Sequence, residues 1–590
     1  MKSFFISALL LSTIPDEAFA FSSLSRPSKP WSTTAKFLSK PDRYPTPSRI
    51  KLTQNWREAK ELSQKFLQDK SASQSKKKVA IIGGGLSGLS CAKYLSDAGH
   101  EAIVYEARNV LGGKVSAWQD DDGDWIETGL HIFFGAYPNM MNLFEELDIE
   151  DRLQWKKHQM TFAMQELPGQ FTSFQFPANV PAPFNMAIAI LSNTEMLTLE
   201  EKIRMVPGLL PMLLEGQAFI DNQDELSVLQ FMKKYGMPER INEEIFIAMG
   251  KALDFTDPDK LSMSVILTAM NRFINEADGS QTAFIDGNQP DRLCKPMVEH
   301  IEARGGQVQT GKPIAEIKVN PDTLSVEGLQ LTDGSLVEAD YFISAMPVDV
   351  VKKMIPKQWS TMPYFAQLKE LEGIPVINLQ IWFDRKLKSV DGLCFSRSPL
   401  LSVYADMSIC CDEYASDDAS MLELVFAPCT PQVGADRNWI AASDEEIIEA
   451  TLSELERLFP TEIGTGAGDK AAQVTKSTVV RVPRSVYATT PGRNKFRPSQ
   501  DSPIDNFVMA GDFASQKYLG SMEGAVLSGK LAAEVICDRE SSRPTKGIRP
   551  IHESITSQSW EAKDPVGVRG DFPIAFGGGQ QGSGQIVEHP

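Results

Sequence analysis

Residues 79–118, VAIIGGGLSGLSCAKYLSDAGHEAIVYEARNVLGGKVSAW, decide the fold. Val79 to Ile82 is a four-residue apolar run suited to a strand buried on both faces. Gly83, Gly85 and Gly88 follow as G-x-G-x-x-G where that strand should turn into a helix running from Leu86 to about Ala98. The first glycine permits the tight turn, the second admits a pyrophosphate to the backbone, and the third lets helix and strand pack closely. The helix start then offers unpaired N–H groups and partial positive charge to an anion. Ala102 to Tyr105 reads as the next strand, and Glu106 at its end stands where an acid accepts hydrogen bonds from a ribose diol. The expected class is α/β, with a Rossmann-like dinucleotide-binding domain.

The chain has 590 residues, 42% of them hydrophobic and 9% aromatic, enough for two or more domains around a large core. The formal net charge is -18, although the first 54 residues carry eight Lys/Arg against three Asp/Glu, so the remainder is near -23. That excludes nucleic acid as the expected partner. Seven cysteines without a C-x-x-C pair, and six histidines without H-E-x-x-H, speak against a metal site or a disulfide framework. No nucleophile elbow suggests hydrolysis, so the chemistry falls to a cofactor.

Lys2 followed by FFISALLLSTI, with Ala18-Phe19-Ala20 before Phe21, reads as a signal peptide over 1–20. Residues 21–54, rich in Ser, Thr, Pro, Lys and Arg with one acid, Asp42, have the composition of a plastid transit peptide. The pair resembles the bipartite presequence of algae with a secondarily acquired plastid. Simple secretion is the alternative, but it leaves the basic, acid-poor stretch unexplained.

Residues 55–78 are expected to form a linker helix and basic spacer. The flavin domain reads as discontinuous: a first segment over 79–137, an interleaved piece near LVEADYFISAMP (336–347), and a return at DNFVMAGDFASQKYLGSMEGAVLSGKLAAEVI (505–536). Between them lie a substrate-channel and α-rich section (138–310), a strand-rich substrate domain (311–480) and a substrate-lining and flavin-binding segment (481–538). Residues 539–590, with FGGGQQGSGQ, read as a disordered tail.

Leu111-Gly112-Gly113-Lys114 resembles the Gly-Gly-basic turn of flavoproteins in the amine oxidase and carotenoid desaturase clan, with Lys114 where most of the clan has arginine. Phe507 to Asp512, a strand ending in Gly-Asp, resembles the clan's second nucleotide-contact element, which is expected to return beside the first strand. Glu127-Thr128-Gly129-Leu130-His131-Ile132-Phe133-Phe134-Gly135-Ala136-Tyr137-Pro138-Asn139 is similar to the flavin-contacting segment of plant-type phytoene desaturases. The likeness continues through NTEMLTLEEKIRMVPGLLP, FIAMGKALDFTDPDKLSM, LTAMNRFINE, FIDGNQPDRLCKPMVEHI, PRSVYATTPG and QKYLGSMEGAVLSGK, and covers roughly residues 76–536.

The resemblance implies FAD as hydride acceptor, plastoquinone as re-oxidant, and conversion of 15-cis-phytoene through phytofluene to a tri-cis ζ-carotene. It implies flavin contacts at Ser87, Glu106, Ala107, Gly113, Lys114, His131, Ile132, Tyr137, Asp512 and Met522, besides the turn glycines. It places Arg272, from the N-R-F segment, at the site shared by carotene and quinone, with Phe134, Tyr487 and Thr489 lining the same channel. A homo-oligomer is implied as well.

The physical case is separate. A hydrocarbon gives acids, bases and nucleophiles nothing to grip, so hydride loss from an allylic carbon followed by proton loss is the feasible route, and orientation must do most of the catalysis. A long apolar channel is expected. Moving a C40 chain from lipid to water would cost on the order of 30 kcal/mol at about 0.8 per carbon unit, so the protein must meet its substrate at a bilayer. With no run of eighteen apolar residues it is expected to lie on the thylakoid or envelope membrane without spanning it. The candidate docking surface is VPAPFNMAIAILSN (180–193) with IRMVPGLLPMLLEG (203–216), flanked by Lys202 and Arg204. A buried helical core is the other reading. Rivals for the whole chain are a ζ-carotene desaturase or carotene isomerase, and a flavin-free isoprenoid-binding escort of the Rab GDP-dissociation inhibitor type.

Overall fold

The computed structural model describes residues 44–72, 76–163, 170–388 and 392–541. The signal peptide, the transit peptide up to residue 43 and the tail beyond 541 lie outside the described residues.

The strand Lys78–Ile82 sits in the middle of a five-stranded parallel sheet. Glu101–Tyr105 and then Gln307–Gln309 lie on one side of it, Tyr341–Ser344 and then Phe507–Met509 on the other. Successive side chains of these strands feed opposite faces. Val79, Ile81, Val104, Ile343 and Val508 pack under the helices Gln54–Ala72, Leu86–Asp97, Pro138–Glu146, Lys295–Glu302 and Met522–Glu540. Ala80, Ile82, Ile103, Phe342 and Met509 pack with Trp359, Phe365 and the three-stranded sheet of Ile314–Val319, Val326–Leu331 and Leu336–Val337.

Four expectations need correction. The late strand Phe507–Met509 pairs with Tyr341–Ser344, one strand removed from Lys78–Ile82. The section assigned to the channel (138–310) gives the flavin domain the helix Pro138–Glu146 and the edge strand Gln307–Gln309, and the strands at 314–337 cover that domain's sheet. Short edge strands carry too little periodicity to be assigned from sequence. Third, residues 55–72 are no linker. Phe66 is fully buried against Tyr94, Ser63 donates to Asn142 Oδ1 (2.6 Å), and Lys65 bridges Glu534 and Asp538 (2.9 and 2.8 Å).

The fourth concerns residues 44–53, whose basic, Pro-rich composition reads as presequence. Tyr44 N–H bonds Trp155 O (3.1 Å), Arg49 pairs with the buried Asp278 and donates to Val180 O (2.8 Å), and Ile50 is buried. Deleting residues 1–54 is therefore expected to strand Asp278 and cost about 3 kcal/mol or more relative to deleting 1–43. Melting curves of the two truncations test this.

The second body is a seven-stranded sheet ordered Val474–Tyr487, Gly373–Phe383, Met421–Phe426, Leu401–Asp406, Cys394–Phe395, Gln159–Ala163 and Phe171–Gln175. IPVINLQIWF forms most of its long strand Gly373–Phe383, second from one edge and buried along nearly all its length. One face meets the helix Asp444–Leu458; the other meets the α-rich section. That section contains Phe184–Ser192, Leu199–Glu215, Val228–Tyr235, Ile247–Asp254 and Met263–Asn275. Thr198 and Glu201 form a capping box at the start of Leu199–Glu215. Lys202, expected on the surface, is turned inward and donates to Asn193 O, while Arg204 stays outside.

Candidate active site

The glycine turn is built as its spacing dictates. Gly83 has φ 112 and donates to Tyr105 O (2.9 Å). Gly84 N donates to Glu106 Oε2 (2.7 Å) and Arg108 N to Oε1 (3.0 Å), which fixes the carboxylate at the strand end. Gly88 lies so near Gly83 that a methyl group there would collide with its carbonyl oxygen. The second glycine pair follows so soon because it closes on the first: Gly112, in the left-handed region, donates to Gly84 O (2.9 Å) and bridges Gly85.

Gly85 caps the helix Leu86–Asp97 with no side chain over the first-turn N–H groups, and a Cβ added there meets nothing closer than 3.7 Å. Ser87 Oγ is buried without a hydrogen-bond partner among the described residues. An open cradle, free donors, an unsatisfied hydroxyl and an oriented acid fit a flavin dinucleotide.

Lys114 and Asp512, 398 residues apart, meet with Nζ 2.7 Å from Oδ2. His131 stands beside them, Nε2 3.2 Å from Lys114 O and Nδ1 3.4 Å from Glu127 Oε2. Behind it is a buried polar ladder that the sequence reading missed. Tyr414 O–H donates to Glu127 Oε1 (2.7 Å), and Asn378 Nδ2 donates to Glu127 O (3.1 Å) and Glu423 Oε1 (2.9 Å). Burial, then the neighbouring Glu127, pushes the Glu423 carboxyl well up. Only the alternation of the strand MLELVF, which puts a Glu among apolar positions, hinted at it.

Met522 opens the helix Met522–Glu540, and Glu523 beside it ties that helix to Pro138–Glu146. Its carboxylate accepts from Asn139 N (3.0 Å), Asn139 Nδ2 (2.7 Å) and Met140 N (2.9 Å), just after Tyr137. Ala107 is exposed past Glu106, and Ile132 packs toward the α-rich core.

The expected channel residues are brought to the same region in two groups. Phe134 contacts Tyr137 and Phe273 at ring distances of 5.5 and 5.4 Å, and Arg272 is the neighbour of Phe273 on Met263–Asn275. Arg272 is buried with its guanidinium 5.2 Å from the Tyr518 ring. Lys517, Glu58, Asn55 and Glu276 surround it: Lys517 Nζ reaches Glu58 Oε2 (2.5 Å) and Asn55 Oδ1 (2.9 Å), and Asn55 Nδ2 reaches Glu276 Oε1 (2.5 Å). The N-terminal helix thus borders the site, which nothing in its own pattern announced. In the other group, Tyr487 lies against Gly520, next to Asp512, with burial raising its hydroxyl to about 12. Thr489, two residues on, bonds Asp254.

One cavity opens between Lys114, Gly373, Arg484, Tyr487, Asp512 and Phe513, and another between Asp124, Trp382 and Lys476; neither is an apolar corridor. Phe134, which the resemblance places on the channel wall, touches both Tyr137 and Phe273. Asp120, Asp122 and Asp124 converge on Lys476 Nζ (2.5, 3.1 and 2.5 Å), so an ammonium already stands among the three carboxylates.

Residues 86–537 match the family described as flavin containing amine oxidoreductase, and 37–121 match pyridine nucleotide-disulphide oxidoreductase. A 15-cis-phytoene desaturase of Synechococcus elongatus is 54% identical over 483 residues, 81% of this chain and 99% of that protein. The 15-cis-phytoene desaturase, chloroplastic/chromoplastic, of Capsicum annuum is 55% identical over 84% of this chain and 83% of its own length. A zeta-carotene desaturase of Synechocystis is 31% identical over 79% of this chain and 99% of its length. Among solved structures, an oxidoreductase from Methanosarcina mazei superposes with a TM-score of 0.58 at 17% identity, covering 77% of this chain and 98% of that one. At that identity it speaks for the fold alone.

Proposed function

The chain belongs to the flavin containing amine oxidoreductases and, within them, to the 15-cis-phytoene desaturases, and from that membership we propose a site-level reading of its activity. The protein is an FAD-dependent 15-cis-phytoene desaturase, an oxidoreductase acting on CH–CH bonds. The products are phytofluene and then 9,15,9'-tri-cis-ζ-carotene, with plastoquinone as the electron acceptor. The observation that carries the reading is the meeting of Lys114 and Asp512 beside the glycine turn, which joins two nucleotide-contact elements from distant parts of the chain.

Bound FAD supplies a two-electron oxidant that accepts hydride. The chain's own work is binding and orientation. Gly83, Gly85, Gly88 and the first turn of Leu86–Asp97 receive the pyrophosphate, Glu106 a ribose diol, and Gly113, Lys114, His131, Ile132, Tyr137, Asp512 and Met522 the remainder, with Ser87 and Ala107 beside the dinucleotide. Arg272, Phe134, Tyr487 and Thr489 border the pocket for carotene and quinone. The contacts of Phe134 with Tyr137 and Phe273 keep that wall apolar, so water is kept from an electron-poor polyene.

A substrate this insoluble fixes the place of work. Phe184, Ile188, Leu191, Leu199, Ile203, Val206, Leu210 and Leu214 all stand exposed on two neighbouring helices. They form the face that rests on a plastid membrane, thylakoid or envelope. No helix among the described residues is long and apolar enough to cross it. The chloroplastic naming of the plant relatives supports the plastid, and a homo-oligomer on the membrane is part of the reading.

Purified protein incubated with 15-cis-phytoene in liposomes is expected to yield phytofluene and ζ-carotene in catalytic amounts only when a quinone is added. Chromatography of the pigments decides it. Turnover independent of quinone would remove plastoquinone from the reading, and an unchanged phytoene pool would remove the carotene.

A further inference from the structure

Asp254 ends the helix Ile247–Asp254 and is almost completely buried, and no step above uses it. One of its carboxylate oxygens, Oδ2, accepts both from the Thr489 hydroxyl (2.6 Å) and from the Thr489 backbone N–H (3.1 Å). Thr489 is itself fixed: its carbonyl accepts from Ser262 N (2.9 Å), and it lies two residues from Tyr487. A threonine hydroxyl has a single proton to give. While it is given to a carboxylate, the same hydroxyl has only lone pairs left for any other partner. When Asp254 is a neutral acid it has a proton of its own to give to Thr489, and the hydroxyl is released to donate elsewhere.

We propose that Asp254 is a positioning residue: its protonation sets the direction of the Thr489 O–H and so makes the site's grip on a carbonyl-bearing ligand depend on pH. The ligand class that needs such a donor is a quinone, whose oxygens only accept; the carotene has no use for it. The inference rests on the quinone reading above.

The surroundings place the switch in an accessible range. Burial pushes the Asp254 carboxyl up to about 7, against the pull of the two Thr489 bonds. The charges that face it from packed elements are Asp512, which raises it further, and Lys114, which lowers it. Tyr487 lies beside it with Arg497 over its ring, and Asp224 acts on the same tyrosine. On its own side of the fold Lys251 is engaged with Asp257 (3.5 Å) and Ser398 O (3.2 Å). The sign follows. Below neutrality Asp254 is uncharged and the hydroxyl is free; as pH rises through about 7 it ionises, captures the hydroxyl and weakens the quinone contact.

The test uses the full chain in phytoene-loaded liposomes with a short-chain plastoquinone analogue, at about pH 6 and about pH 8. One neutral hydrogen bond corresponds to roughly a fivefold change, so the wild-type KM for the analogue is expected to rise about fivefold between the two, while the KM for carotene does not follow. Asp254→Asn keeps an acceptor for both Thr489 donors and is expected to abolish the rise with flavin content unchanged. Thr489→Val is expected to hold the quinone KM high at both values. Direct binding of the analogue, read by tryptophan fluorescence quenching, reports the same shift without turnover. A rise that persists in Asp254→Asn, or no rise in the wild type by either readout, overturns the proposal. Pronounced pH-dependent binding without quinone-supported turnover would instead leave the switch standing and defeat the electron-acceptor reading.

Discussion

Gly85→Val is expected to give a folded, monodisperse and colourless protein without desaturase activity. The reason lies in two local facts. Gly85 has φ -80 and ψ 178, extended backbone in which valine is comfortable, and a Cβ there finds its nearest neighbours, Gly112 O and Gly113 Cα, at 3.7 Å. The fold therefore accepts the side chain. The cofactor does not, because the branched methyl groups occupy the approach to the uncapped first turn of Leu86–Asp97. Losing two charge-assisted hydrogen bonds to a pyrophosphate costs about 3 to 6 kcal/mol, so flavin affinity should fall by a hundredfold or more. Gly88→Ala makes the contrast. Its methyl group would strike the Gly83 carbonyl, in backbone that cannot yield cheaply, so that variant is expected to lose the fold along with the flavin. Visible flavin absorbance per protein, read beside a circular dichroism melt, separates the two. A yellow Gly85→Val protein with full occupancy would show that the pyrophosphate does not lie over this turn.

How much of this was legible in the sequence depends on the range of the interaction. The strand, turn, helix, strand and acid of residues 79–106 were readable because each is fixed by neighbours a few positions away. That Lys114 and Asp512 serve one site was implied only through the family resemblance, and their ion pair was not foreseen, since nothing local at either residue points across 398 positions. Register was lost where elements are short: three-residue Gln307–Gln309 has no period to read, yet it completes the parallel sheet. Composition misled at residues 44–53, where the same Arg49 that reads as targeting charge is the ion-pair partner of the buried Asp278. The buried acids Asp254 and Glu523 were invisible for a related reason, and Glu423 showed only as an acid in an apolar strand. Whether a carboxylate is buried is decided by elements hundreds of residues away, and in sequence each looks like a solvated charge.

The α-rich section brings sequence and structure to the same place, and it yields the other large effect. Ile203→Glu, Leu210→Glu and Leu214→Glu together are expected to release the protein from liposomes and to stop turnover of liposomal phytoene, with flavin content and melting temperature unchanged. These side chains are 60%, 43% and 69% exposed in the protein, so nothing in the core is disturbed by their replacement. At about 25 cal/mol per Å² of apolar surface, removing each from a lipid contact costs on the order of 1 kcal/mol, and three carboxylates brought to an anionic leaflet add repulsion. The sum corresponds to at least a hundredfold in partitioning. Pro207 and Pro211 within Leu199–Glu215 suit this surface role, since the backbone carbonyls they leave unpaired can be met by water or headgroups at the interface. Flotation of the variant with liposomes measures the partitioning. The competing use of the same face is contact with a second copy of the chain. If the triple variant still floated with the liposomes but fell to a smaller species in light scattering, these helices would be a subunit interface, and the carotene would have to enter elsewhere.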